Sequence, residues 1–169
     1  MLADIQLMQI KNQVKRVLHV PGNYTGGILE MAIVADYAVE KEELTENIKR
    51  TADALKRQDE IFRNVRLNLI KWISDEQILK EVSSLTTLQM GRGFEDYEKY
   101  CAVPGRQEKS ADELFRQLKL FYARSKLILV FTDGAFRVAD QKTAEACLQP
   151  FLGRKMLFIQ NGKGERYSF

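Results

Sequence analysis

The chain has 169 residues, of which 45% are hydrophobic and 29% are charged, a composition typical of one ordinary globular domain. Its net charge of +3 is spread over interleaved basic and acidic residues, which argues against the clustered basic face of a nucleic-acid-binding protein. The only histidine, His19, and two widely spaced cysteines argue against a zinc site and against catalysis by a serine–histidine or cysteine–histidine pair.

The sequence predicts neither a targeting segment nor a membrane span. Residues 1–15 lack the apolar block of a signal peptide. The apolar runs Met31–Ala35 and Leu127–Phe131 are too short to cross a bilayer. We therefore expect a cytoplasmic protein with free thiols and no membrane partner.

The first part of the chain predicts strands separated by one long helix. Val14–Val20 is strand-like, within an N-terminal extension over residues 1–27 that ends in turn residues. Ile28–Ala35 is almost continuously apolar, as in a strand covered on both faces. Glu42–Phe62 has apolar residues at helical spacing, and Val65–Ile73 alternates like a strand, with Ile70 and Trp72 on the face that would pack under a helix. The helical stripe consists of Leu44, Ile48, Leu55 and Phe62.

Two capping-box patterns predict further helices. Ser74–Gln77 has the pattern of a capping box before a helix that would continue to Leu85. Ser110–Glu113 has the same pattern, and Gln89–Lys109 between them is a long loop of the kind that often carries function. The helix after Ser110 is predicted to bury Leu114, Phe115, Leu118, Phe121 and Tyr122.

The last part of the chain predicts a central strand, a helix and a terminal hairpin. Lys126–Phe131 has no polar break, and Asp140 is placed to cap a helix that ends before Pro150. Lys155–Gln160 is strand-like, and Asn161-Gly162 favours a tight turn into a second strand over Glu165–Phe169.

This alternation of apolar strands and amphipathic helices predicts a single α/β domain over residues 1–169. Its architecture would be a three-layer Rossmann-like, mostly parallel sheet flanked by helices, with a C-terminal β-hairpin. The strands Ile28–Ala35 and Lys126–Phe131 should be adjacent and parallel, because both are apolar throughout. Val65–Ile73 should lie beside the first of them.

Two acidic residues follow the predicted central strands. Asp36 follows Met31–Ala35, and Asp133 follows Leu127–Phe131. Ligands bind beyond the carboxyl ends of strands in such sheets, and two neighbouring carboxylates suit a hard cation such as Mg²⁺. The alternative is that each carboxylate caps the following helix or turn.

The segment from Leu127 to Phe131, followed by Thr132, Asp133 and Gly134, resembles the strand and Thr-Asp-Gly turn of von Willebrand factor A (VWA) domains. The order of elements from about Leu29 to Gln160 is similar to that family as well. The resemblance implies a protein-interaction module with a metal-ion-dependent adhesion site. In that site an Asp-x-Ser-x-Ser loop, a threonine and a later aspartate surround the cation.

The sequence departs from that site at three positions. Ala38 and Glu40 stand where the family has serines, and Phe94 stands near the expected threonine. Only Asp36 and Asp133 carry over as metal ligands. Either the site has decayed and the fold serves as a scaffold, or Glu40, Glu95 or Asp96 has rebuilt it with carboxylates that could hold Mg²⁺. In both cases we expect partner binding that does not depend on a divalent ion.

A second hypothesis is a metal-dependent nuclease similar to the PIN and NYN-type enzymes. Such enzymes gather several carboxylates around Mg²⁺ or Mn²⁺, so Glu95 or Asp96 would have to converge on Asp36 and Asp133. The sequence favours the first hypothesis, a non-enzymatic module with no resident cofactor that binds another protein and no nucleic acid. We expect its binding residues to be Asp36, Glu40, Arg92, Glu95, Thr132 and Asp133.

Overall fold

A computed structural model describes residues 4–18, 28–58, 62, 64–101, 109–151 and 156–160 of the chain. They form a Rossmann-like α/β fold, in which helices flank a mostly parallel five-stranded sheet. The strands of this sheet are β1 (Leu29–Asp36), β2 (Val65–Trp72), β3 (Ile78–Ser83), β5 (Leu127–Thr132) and β7 (Met156–Gln160). Two short strands, β4 (Lys109–Ser110) and β6 (Phe136–Arg137), pair in parallel beside it.

The order of strands across the main sheet is β3-β2-β1-β5-β7. Strand β1 pairs in parallel with both β2 and β5, and β5 pairs in parallel with β7. The predicted strands Ile28–Ala35 and Lys126–Phe131 are thus confirmed as central parallel neighbours, with Val65–Ile73 beside the first. The carboxyl ends of β1, β2 and β5 consequently lie side by side.

Helices and strands enclose one apolar core on each face of the sheet. The longer helices are α1 (Asp4–Leu18), α2 (Lys41–Gln58), α5 (Asp112–Tyr122) and α6 (Gln141–Leu148), and the shorter ones are α3 (Leu85–Gln89) and α4 (Tyr97–Cys101). The first core contains Leu44, Ile48, Leu55 and Phe62, as predicted. The second contains Ile70 and Trp72 packed with Leu114, Phe115 and Leu118 of α5, also as predicted.

The strand predicted over Val14–Val20 is wrong where the structure describes it. Residues 4–18 form helix α1, because Ile10 and Val14, four residues apart, face the core together and are buried. Residues 19–27 lie outside the described part of the chain, as does Glu165–Phe169, the predicted second strand of the terminal hairpin.

The helix predicted after Ser74–Gln77 is also wrong. Ser74 and Gln77 close a turn through two backbone hydrogen bonds, and β3 then runs antiparallel to β2 along most of its length. The apolar residues of this segment had suggested helical spacing. Pairing with β2 prevails because a buried strand must satisfy its backbone groups.

Helix α5 begins where the sequence predicted, but no capping box forms there. The backbone amide of Ser110 donates to Asp75 at 2.7 Å, and Glu113 pairs with Arg116 instead of reaching back. Phe121 and Tyr122 were also predicted to be buried. Phe121 is 58% exposed, whereas Tyr122 is partly buried against the second core. The cap at Asp140 is confirmed, since its carboxylate accepts from the Thr143 amide.

None of the helices in the described part of the chain combines the length and apolar character needed to cross a bilayer. The loop predicted over Gln89–Lys109 contains helix α4, and its residues 102–108 lie outside the described part.

Two leucines provide a test of the assigned core. Leu129 in β5 is fully buried and Leu120 in α5 is 62% exposed. We expect Leu129→Ala to lower the free energy of unfolding by about 2–5 kcal/mol, because it leaves a cavity. Leu120→Ala should change it by less than about 0.5 kcal/mol. Urea denaturation of both variants measures the difference, and equal losses would contradict this assignment of the core.

Candidate functional site

The buried carboxylate of Asp36 is the centre of the candidate site. Asp36 is the last residue of β1 and is 0% exposed. One carboxylate oxygen, Oδ1, lies 2.5 Å from the Lys109 ammonium and accepts from the Ala38 amide at 2.8 Å. The other, Oδ2, accepts from the Thr132 hydroxyl at 2.7 Å. Both oxygens are therefore engaged by groups of the protein itself.

Lys109 reaches this carboxylate from the short strand β4. Its neighbour strand β6 holds β4 in place, with Lys109 level with Phe136. The Lys109 Nζ atom also donates to the Trp72 carbonyl at 2.7 Å and lies 4.1 Å from the centre of the Trp72 ring. Only 8% of the Lys109 side chain is exposed, so this ammonium is an internal cation of the fold.

A divalent cation does not fit beside Asp36 in this arrangement. A doubly charged ion about 4 Å from the ammonium would meet a repulsion of roughly 8 kcal/mol at an effective dielectric constant of about 20. Within the described ranges, no group of three histidine, cysteine, aspartate or glutamate side chains is placed to hold a metal. The cluster of carboxylates on which the nuclease hypothesis depends is absent from that part of the chain.

Asp133 has a local role in the turn after β5. Its carboxylate accepts from the Ala135 amide at 2.9 Å, and the Thr132 hydroxyl accepts from the Gly134 amide at 3.1 Å. Gly134 has a φ of 78°, which favours glycine in this turn. Asp133 thus stabilises the turn, as in the alternative stated for it above.

A second ion cluster lies on the other side of β2. Lys71, with 6% of its side chain exposed, pairs with Asp96 and Glu81 at 3.0 Å each. The Tyr37 hydroxyl donates to the other Asp96 oxygen at 2.7 Å. Burial raises the pKa of Asp96, but the hydrogen bonds from Tyr37 and Lys71 outweigh this effect and place the pKa below its usual value. Asp96 therefore serves this cluster, whereas Asp36 is engaged by Lys109.

Aromatic packing fixes the loop between α3 and α4 against the end of β1. Phe94 and Tyr97 are buried, with ring centres 6.4 Å and 5.1 Å from that of Tyr37. The Tyr97 hydroxyl also donates to the Val39 carbonyl. Phe94, near the position of the expected threonine, is therefore part of the core.

The six predicted binding residues fall into two groups by exposure. Asp36 and Thr132 are buried and hydrogen-bonded to each other. Glu40, Arg92 and Glu95 are exposed, and Asp133 is half-buried. Glu95 accepts from the Gly93 amide at 3.0 Å. Only the second group is therefore accessible to a partner.

Sequence reasoning missed the two lysines of the site. The role of Lys71 could have been predicted, because it is a charged residue on the strand face that otherwise presents Leu67, Leu69 and Ile73 to the core. Such a residue needs a buried partner. No such signal is present at Lys109, because it ends the segment predicted as a long loop and contacts Asp36 through the pairing of β4 with β6.

The buried pair predicts non-additive effects on stability. Lys109→Met or Asp36→Asn alone should each lower the free energy of unfolding by about 3–5 kcal/mol, because one substitution leaves an unpaired buried group. The double variant should lose less than the sum of the two. Urea denaturation of the unmodified protein, the two single variants and the double variant completes this double-mutant cycle. Strict additivity would contradict a direct interaction of the two side chains.

The lowered pKa of Asp96 predicts a pH-dependent contribution to stability. Its charged form is favoured in the folded state, so the contribution is present above the unfolded value near pH 4 and is lost as pH falls through the folded value. Asp96→Asn should therefore cost about 1–2 kcal/mol at pH 7 and progressively less below about pH 4.

The control for Asp96 is Tyr37→Phe, which removes a single hydrogen-bond donor to the same carboxylate. It should give a change of the same sign and smaller size in denaturation curves measured across the acid range. A difference between Asp96→Asn and the unmodified protein that stays constant with pH would contradict the assignment.

Comparison of the chain with known protein families and with curated proteins found no match. The resemblance to VWA domains therefore stays a prediction, and the function has to be argued from the site.

Proposed function

We propose that this protein is a non-enzymatic module that binds another protein at the carboxyl end of its sheet, without a divalent ion. The observation that carries the proposal is the Lys109 ammonium 2.5 Å from Asp36, at the position that a bound metal would need. In a VWA-like fold this side chain would replace the cation of the adhesion site with a positive charge that belongs to the chain.

The exposed residues of the loops that follow β1 and α3 give the binding surface its chemistry. Glu40, Arg92 and Glu95 combine both signs of charge, and the Arg92 side chain has no ion-pair partner among the described residues. Arginine at a rigid surface is a frequent energetic centre of protein interfaces. The loop that carries Arg92 is fixed by the packing of Phe94 and Tyr97 on Tyr37, which keeps the cost of ordering low on binding.

Metal titration tests the ion-independent part of the proposal. Calorimetric titration of chelator-treated protein with Mg²⁺, Mn²⁺ or Ca²⁺ should show no site tighter than about 100 µM. The physical reason is the ammonium already held by Asp36. A tighter site that disappears in Asp133→Ala would contradict the proposal and would support the metal-dependent nuclease hypothesis instead.

Site-specific crosslinking tests the binding surface. A photo-crosslinking residue at position 92 should give discrete adducts in cell extract, with equal yield in the presence of Mg²⁺ or of a chelator. The matched control is position 57, an exposed arginine near the far end of α2. Adducts that form only with Mg²⁺, or equally from both positions, would refute binding at this surface.

A further inference from the structure

An open cavity of about 390 Å³ lies at the opposite end of the sheet from the Asp36 site. Its volume is within the range of sites for small molecules, about 300–1,000 Å³. Arg66, Lys80 and Arg124 contribute cationic groups to its wall, and Phe121, Tyr122 and Ser125 contribute aromatic and hydroxyl groups.

The cavity exists because α5 covers only part of its face of the sheet. Ile70 and Trp72, toward the end of β2, are buried under this helix, whereas Arg66 and Asn68 at its start line the cavity. Helix α5 ends at Tyr122, and the Ser125 amide donates to the Tyr122 carbonyl at 2.9 Å. The Lys126 amide then donates to the Glu30 carbonyl at 2.8 Å, so the wall is held by the sheet.

The charges that line the cavity leave an excess of positive charge. Three cationic side chains meet one carboxylate, Glu30, which is bonded to Arg66 at 3.0 Å. Arg124 has no ion-pair partner among the described residues. The Lys80 ammonium lies 3.8 Å from the centre of the Phe121 ring. Burial lowers the pKa of Lys80, Glu113 opposes this shift and Arg116 adds to it, so an anion close to Lys80 would be favourable.

We propose that this cavity binds a small organic phosphate that carries a planar ring, with a nucleoside monophosphate as the simplest representative. A phosphate monoester carries about two negative charges at neutral pH, which matches the excess charge of the wall. Guanidinium groups bind phosphate oxygens through paired hydrogen bonds, and Arg66 and Arg124 both supply such groups. Phe121, which is 58% exposed, offers a surface on which a planar ring can stack. This inference does not depend on the protein-binding function proposed above.

Four ligands separate the two parts of the proposed recognition. In calorimetric titration, adenosine 5′-monophosphate should bind with a Kd tighter than about 1 mM. Adenosine lacks the phosphate, whereas ribose 5-phosphate and inorganic phosphate lack the ring. Each of these three ligands should bind at least about tenfold more weakly than the monophosphate.

Variants assign that binding to the cavity. Arg124→Ala and Lys80→Ala should each weaken binding of the monophosphate about tenfold, since each removes a charged partner of the phosphate. Phe121→Ala should weaken the monophosphate while leaving ribose 5-phosphate unchanged. The control is Lys119→Ala, an exposed lysine on α5 that does not line the cavity, which should leave all affinities within about twofold.

The proposal is overturned if the monophosphate does not bind at about 5 mM, or if all variants bind it equally. It is also overturned if a single-stranded oligonucleotide or an anionic lipid vesicle binds through Arg124 and Lys80 while the monophosphate does not. In that case the cationic wall would belong to a surface for a polyanion. Thermal denaturation of each variant checks that loss of binding does not arise from loss of folding.

Discussion

The buried ion pair between Asp36 and Lys109 joins elements that are far apart in the chain. Through Asp36 it holds the end of β1, through Thr132 the end of β5, and through the Trp72 carbonyl the end of β2. Taking two charges out of water is costly, and such a pair stabilises a fold little compared with apolar packing. Its contribution is to specify which strand ends meet, since any other arrangement leaves a buried charge without a partner.

The two ends of the sheet consequently differ in their electrostatics. At the carboxyl end, Lys109 and Lys71 are both matched by carboxylates, so positive charge is held inside and the exposed residues carry both signs. At the amino end, Arg124 and Lys80 line an open cavity with one carboxylate, Glu30, in its wall. Neutral pairing suits a rigid contact surface, whereas unbalanced charge suits capture of an anion.

The sequence was sufficient for those parts of the fold that depend on apolar patterning. Strands β1 and β5 are apolar throughout, and their central parallel pairing followed from that property alone. Segment 78–83 was wrongly predicted to be helical because Ile78, Leu79 and Val82 fit a helical stripe. The decisive factor was the backbone of β2, which needs hydrogen-bond partners along that edge. The end of helix α1 was wrongly predicted to be a strand because Val14 is β-branched, as residues of strands often are. Ile10, one helical turn before Val14, lies in the same core and is consistent with the helix.

The candidate site was predictable only in part, for a related reason. Asp36 and Thr132 were found because acids and hydroxyls after buried strands are recognisable from local context. Lys109 was missed because its role depends on a contact across 73 positions of the chain, and nothing in its immediate neighbours requires one. Ion pairs between distant segments produce no periodic pattern of residues in the sequence.

The same long separations have a consequence for how the protein folds during synthesis. The turn between β2 and β3 closes within a few residues, so this hairpin can form as soon as it leaves the ribosome. The second edge of β1 is paired only after β5 has been synthesised, about ninety residues later. At about 5–20 residues per second that interval lasts about 5–18 seconds, during which an apolar strand edge is exposed to chaperones and to other nascent chains.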